Sequence, residues 1–169
     1  ETWAIWAVGR MAPNDESIDA AMSKLARSMV PTHLNLRIQA LRILAHRIRN
    51  DRPEGRLPEG IVVALMDPEP RVRFETVQAI WQAKQTHLRS ALIDWLAKEE
   101  DRLVFYAGWG ALRDLSDVAF RKQLLSDDRP NVRLAALLSL LERHDMGLEE
   151  VLALAEKGPD SRIQQWSTT

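Results

Sequence analysis

A chain of 169 residues with a net charge of −1, 46% hydrophobic and 28% charged residues, has the balance of a soluble globular domain and no global basic field to attract nucleic acid or anionic lipid. It contains no cysteine, which excludes disulfides, thiolate metal sites, a cysteine nucleophile and covalent c-type haem attachment within these residues. No apolar run approaches the roughly 20 residues needed to cross a bilayer.

Taken in chain order, apolar residues at helical spacing predict a helix over 1–11 and another over 17–28. Asp15-Glu-Ser17 offers acceptors to the free amides of that second helix, with Ile18 and Met22 on one face. A third helix is predicted over 34–49, carried by Leu36, Leu41 and Leu44. Residues 50–60 hold Pro53, Gly55, Pro58 and Gly60 and read as an inserted loop. A helix at 59–66 is stopped by Asp67-Pro-Glu-Pro70, which also presets a helix at 71–84 with Val72, Val77 and Ile80 inward. Helices follow at 88–98 and 102–114, the latter preceded by Glu99-Glu-Asp101, whose acidic groups suit a helix N-terminus. The last are predicted at 117–125, at 131–143 after Ser126-Asp-Asp-Arg-Pro130, and at 148–157, with a partial helix beginning near 161 after Gly158-Pro-Asp160.

Five segments recur: Asn35-Leu-Arg-Ile, Arg71-Val-Arg-Phe, Arg102-Leu-Val-Phe, Asn131-Val-Arg-Leu and Arg162-Ile-Gln-Gln. Their central apolar residues, Leu36, Val72, Leu103, Val132 and Ile163, are spaced by 36, 31, 29 and 31 residues. A period of that length predicts an all-α solenoid of antiparallel helix pairs. The chain then reads as one domain of units at 1–11 (half), 17–49, 59–84, 88–114, 117–143 and 148–169 (partial). The register enters a helix at Glu1 and begins another at Arg162, so the expectation is an interior section of a longer array.

The runs Asp67-Pro-Glu-Pro-Arg-Val-Arg-Phe74 and Asp127-Asp-Arg-Pro-Asn-Val-Arg-Leu134 resemble HEAT repeats, an armadillo-type family. The resemblance implies a right-handed α-α superhelix. It departs from the family pattern at 88–114, where Val104 stands in place of the usual arginine, and at 17–49, where Thr32-His33 replaces the acidic turn. Arg37, Arg73 and Arg133 occupy equivalent positions: a stacked ladder of this kind could bind an acidic partner or phosphate, whereas the resemblance implies that each pairs with a turn carboxylate or carbonyl, such as that of Asp67 or Asp128. Such arrays serve as scaffolds, adaptors and occasional enzymes, so the fold does not name the activity. The segment from Arg102 to Leu112 is similar to HEAT segments of large exported bacterial dehydrogenase-like proteins, in which a β-propeller precedes the helices and a c-type haem domain follows. That similarity implies a spacer between modules in an exported, periplasmic chain; without it a cytoplasmic location is as suitable.

No residue pattern supports catalysis, a cofactor or a metal: the four histidines lack helical partners, and there is no phosphate loop, dinucleotide fingerprint or nucleophile elbow. Trp3, Trp6, Trp81 and Trp95 read as core. Arg42, His46, Arg47 and Arg49 read as a solvated helix end beside Asp51 and Glu54. Aligning the repeats puts Trp109 in a column with Arg42, Gln78 and Leu138, and Tyr106 in one with Gln39, Glu75 and Ala135. Either these two aromatics are exposed anchors, or Gly108 and Gly110 admit a neighbouring helix that buries both rings. The expectation is a non-catalytic binding or scaffolding domain that contacts a protein, or a neighbouring domain of its own chain, through Arg42, Glu75, Gln78, Tyr106 and Trp109. Nucleic acid is not an expected partner. A DNA-handling enzyme of the kind represented by HEAT-like alkylpurine glycosylases would need a basic inner face, and Glu75 with the net charge of −1 opposes it.

Overall fold

The structure, a computed structural model, describes residues 2–11 and 15–157. They form α1 (Thr2–Met11), α2 (Glu16–Ala26), α3 (Leu34–His46), α4 (Pro70–Gln82), α5 (Arg89–Leu96), α6 (Arg102–Leu115), α7 (Val118–Leu124), α8 (Pro130–Glu142) and α9 (Leu148–Lys157). Among the described residues there are also three 3₁₀ segments, Pro31–His33, Glu59–Met66 and Thr86–Leu88, and a π turn at Arg47–Asp51. The fold is all-helical, with no strand among the described residues. The partial helix expected near 161 and the Gly158-Pro-Asp160 turn lie outside the described residues.

The termini form for local reasons. Asp15, Asp101 and Asp117 have extended backbones, and their carboxylates accept from the first-turn amides of α2, α6 and α7 at 2.7–3.0 Å. Pro70 and Pro130 open α4 and α8, where a missing amide hydrogen costs nothing. Just before them, Asp67 and Asp127 each accept the amide two residues on at 2.9 Å, so the two turns are built alike. The same two helices end alike. Lys84 and His144 take φ of 50° and 56°, and the amides of Gln85 and Asp145 reach back to the carbonyls of Ile80 and Leu140. This is the left-handed stop usually given to glycine.

Helices α1, α3, α4, α6 and α8 pack each on the next and make one layer. Against it lie α2 on α3, Glu59–Met66 on α4, α5 on α6 and α7 on α8, with Glu59–Met66 also touching α2 and α5. The core fills the space between the layers. Leu41, Leu44, Val72, Val77, Ile80, Val132, Leu137 and Leu140 are all buried.

Three sequence expectations are corrected. In the third unit, Leu103 is 73% exposed and Val104 is 2% exposed. Asp101 caps α6 as Glu69 precedes α4 and Arg129 precedes α8, so Val104 is the equivalent of Val72 and Val132. The arginine position of that unit therefore holds Phe105, and every column drawn through α6 moves by one residue. Trp109 shares its column with Leu41, Val77 and Leu137, and Tyr106 shares its own with Ile38, Phe74 and Leu134. Second, Trp3 is 88% exposed and not core. Third, Arg47 is fully buried and does not sit at a solvated helix end. It donates to Asp19 at 2.7 Å and to the carbonyls of Gly9 and Asp15 at 2.7 and 2.9 Å, tying α1, α2 and α3 together.

The inserted stretch at 50–60 is docked by Gln85. Its side chain accepts from the Leu57 amide at 2.8 Å and donates to the carbonyls of Gly55 and Ala83 at 3.2 and 2.6 Å, while Leu57 is buried.

Candidate partner-binding face

The repeated arginines point into the turns between units. Arg37 pairs with Asp67 at 2.6 Å, both side chains buried. Arg73 grips Glu99 through two bonds of 2.7 and 2.8 Å and also donates to the Asp67 and Pro68 carbonyls. Arg133 donates to the Asp127 carbonyl at 2.7 Å. These groups tie successive helices together at their turns, and among the described residues the three arginines do not stack as a ladder.

The layer made by α1, α3 and α4 carries a groove of about 450 Å³ on its free face. Trp6, His46 and Phe74 form apolar walls, and Arg42, Glu75 and Gln78 supply polar groups. Each polar group is fixed across or along a helix. The Trp6 indole donates to Gln39 at 2.9 Å, and His46 meets the Trp6 ring edge-on with centroids 6.0 Å apart. Arg42 forms an ion pair with Glu75 from α3 to α4, which raises the arginine's pKa. Gln82 donates to Gln78 at 3.2 Å. A second hollow of about 530 Å³ shares Arg49, Gln78 and Gln82 with the first and continues to Trp81, Lys84 and Asp114. Arg42, Glu75 and Gln78 thus meet in one place.

Tyr106 and Trp109 lie apart from that groove, on α6. Tyr106 is 37% exposed; its hydroxyl accepts from Arg102 at 3.1 Å, and that guanidinium lies 5.9 Å from the ring centre. Trp109 is half-buried and packs on the core, and its buried indole Nε1 has no hydrogen-bond partner among the described residues. The two glycines serve other rings. A Cβ on Gly108 would stand 2.6 Å from Trp95 and 2.7 Å from Leu96; one on Gly110 would stand 3.0 Å from Trp81. Gly108 lets α5 approach α6, and Gly110 lets α4 do so. Neither buries Tyr106.

One cluster was not foreseen from the sequence. The Arg113 guanidinium lies 5.7 Å from the Trp81 ring and 5.9 Å from the Trp109 ring. Asp114 accepts from Arg113 at 2.8 and 3.1 Å, from Arg143 at 2.7 Å and from the Trp81 indole at 3.0 Å. Arg113 also pairs with Glu142. Hydrogen bonding from Arg113, then from Arg143 and Trp81, outweighs the burial penalty and holds the Asp114 carboxyl at about 2. The cluster joins α4, α6 and α8. A signal existed in the sequence: Trp6 and Gln39, Arg42 and Glu75, and Trp81 and Asp114 are each 33 residues apart.

Among the described residues no group of three His, Asp or Glu side chains is placed to hold a metal ion, and no helix is long and apolar enough to cross a membrane. No family model and no curated protein sequence matches this chain.

Proposed function

We propose that this chain folds as a HEAT-like solenoid and that the free face of its α1–α3–α4–α6–α8 layer binds a protein. The alternation of the two layers, with turn, proline, helix and left-handed stop repeated at 67–84 and 127–144, supports the solenoid reading. The observation that carries the binding reading is the groove across α1, α3 and α4. Its aromatic walls and pre-positioned polar side chains need little ordering when a partner arrives. Glu75, Asp114 and Glu142 stand among the arginines of this face, which weighs against a phosphate backbone as the ligand.

A photo-crosslinking residue in place of Gln78, compared with one in place of the exposed Lys24 on α2, tests this in cells. The same discrete adduct from both positions, or none from Gln78, would refute it. A spacer role is a second reading, favoured by the exposed Val63 and Met66 on Glu59–Met66 in the other layer, an apolar pair that a neighbouring domain of the same chain would cover. Crosslinks from Val63 within the full-length chain, with none from Gln78, would select it.

A further inference from the structure

We infer that the occupant of the inner groove is an acidic peptide segment of a protein partner; this rests on the binding reading above and gives it a chemistry. The argument is local charge. Two carboxylates face the joined hollows, and both are already neutralised: Glu75 by Arg42, and Asp114 by Arg113 and Arg143. Three cations around the same hollows have no carboxylate. Arg49 lines both hollows, Lys84 lines the second, and Arg10 lies 6.0 Å over the ring of Trp6, which walls the first. Among the described residues none of the three forms an ion pair or hydrogen bond with a side chain. In a chain whose net charge is −1, this groove therefore carries a surplus of positive charge.

The geometry suits carboxylates on a peptide more than a nucleic acid. Arg49 and Lys84 follow the C-terminal ends of the neighbouring helices α3 and α4, and both line the second hollow. Lys84 is the left-handed stop of α4, with φ of 50°, which fixes where its stem leaves the backbone. Between them, Trp81 and the paired Gln78 and Gln82 offer an apolar wall and amide groups. An extended segment with acidic side chains on one side and apolar ones on the other would meet guanidinium and ammonium with the first and aromatic rings with the second. A phosphate chain would meet the Glu75 carboxylate and too few cations to release many counterions.

The test measures anisotropy of three fluorescein-labelled probes on the whole chain: a decapeptide alternating glutamate and leucine, its glutamine counterpart, and a ten-nucleotide thymidine oligomer. The expected result is saturable binding of the glutamate peptide, at least about tenfold tighter than the glutamine one and weakened by added salt. R49E with K84E should weaken it by about tenfold or more. R49Q with K84Q, a gentler pair, should weaken it less but in the same direction. K24E on the opposite layer should leave it unchanged, and all variants should melt as the parent does. Equal binding of the glutamine peptide, tighter binding of the oligonucleotide, or an unaffected double variant would overturn the inference. Crosslinks from Gln78 without binding of the glutamate peptide would refute the acidic occupant and leave the binding face standing. Absence of both would refute both.

Discussion

Arg37 and Arg42 lie on the same helix, and their ion pairs differ in worth because their solvent differs. The Arg37–Asp67 pair is buried, so Arg37→Ala strands a carboxylate away from water, at a cost of about 3–5 kcal/mol. The Arg42–Glu75 pair is half in solvent on its arginine side, and Arg42→Ala should cost under about 1 kcal/mol. Urea unfolding of the two variants checks the contrast; equal losses would contradict it. Asp114 gives a pH signature. Its pKa in the folded chain, about 2, lies below the ordinary 3.8, so its contribution to stability is full above pH 3.8 and is lost as pH falls toward 2. Asp114→Asn removes that titrating group. Acid unfolding of the variant should be less steep across this window than that of the parent, and an identical acid limb would show that Asp114 carries no such contribution.

At the scale of the element, α6 shows what a repeat pattern can and cannot fix. Its glycines accept rings from both sides, and Gly108 faces the buried Trp95. Gly108→Ala gains about 1 kcal/mol of helix propensity yet sets a methyl against a ring that has no room to yield. The net effect should be a loss of about 1–2 kcal/mol, read as a lower melting temperature. The end of α8 offers the opposite case. His144 is held at φ 56° with its side chain exposed, so His144→Gly should raise stability by up to about 1 kcal/mol. Calorimetry would decide it, and a destabilised variant would mean that the imidazole has a contact that outweighs the strain. The one-residue slip in α6 has a simple origin. Arg102-Leu-Val-Phe aligns with Arg71-Val-Arg-Phe through its first and last residues, but the helix takes its start from the Asp101 cap, and the cap turns Val104 inward and Leu103 outward.

For the whole molecule, the positions of the helices and the inward set of α3, α4 and α8 were legible, because turn prolines, aspartate caps and apolar spacing act within a few residues of the elements they define. Glu59–Met66 was placed but not typed: the sequence reads as helix, and the segment is wound as 3₁₀. The site was legible only in part. Arg42, Glu75 and Gln78 share a groove, whereas Tyr106 and Trp109 stand elsewhere, because the Asp101 cap shifts α6 by one residue relative to the repeat pattern. The Trp81–Arg113–Trp109–Asp114 cluster depends on how three helices from three units approach one another. That approach is governed by small contacts such as Gly110 beneath Trp81, which no single-unit pattern contains. By itself the sequence determined an all-helical chain and where its helices start and stop, since those follow from local hydrogen bonding and periodic burial. The register of α6 is also local, set by the Asp101 cap two and three residues from the amides it accepts; only the tertiary structure decided the burial of Arg47 and which cations beside the groove are, among the described residues, left without a carboxylate, since those depend on side chains about thirty residues apart meeting across a packed interface.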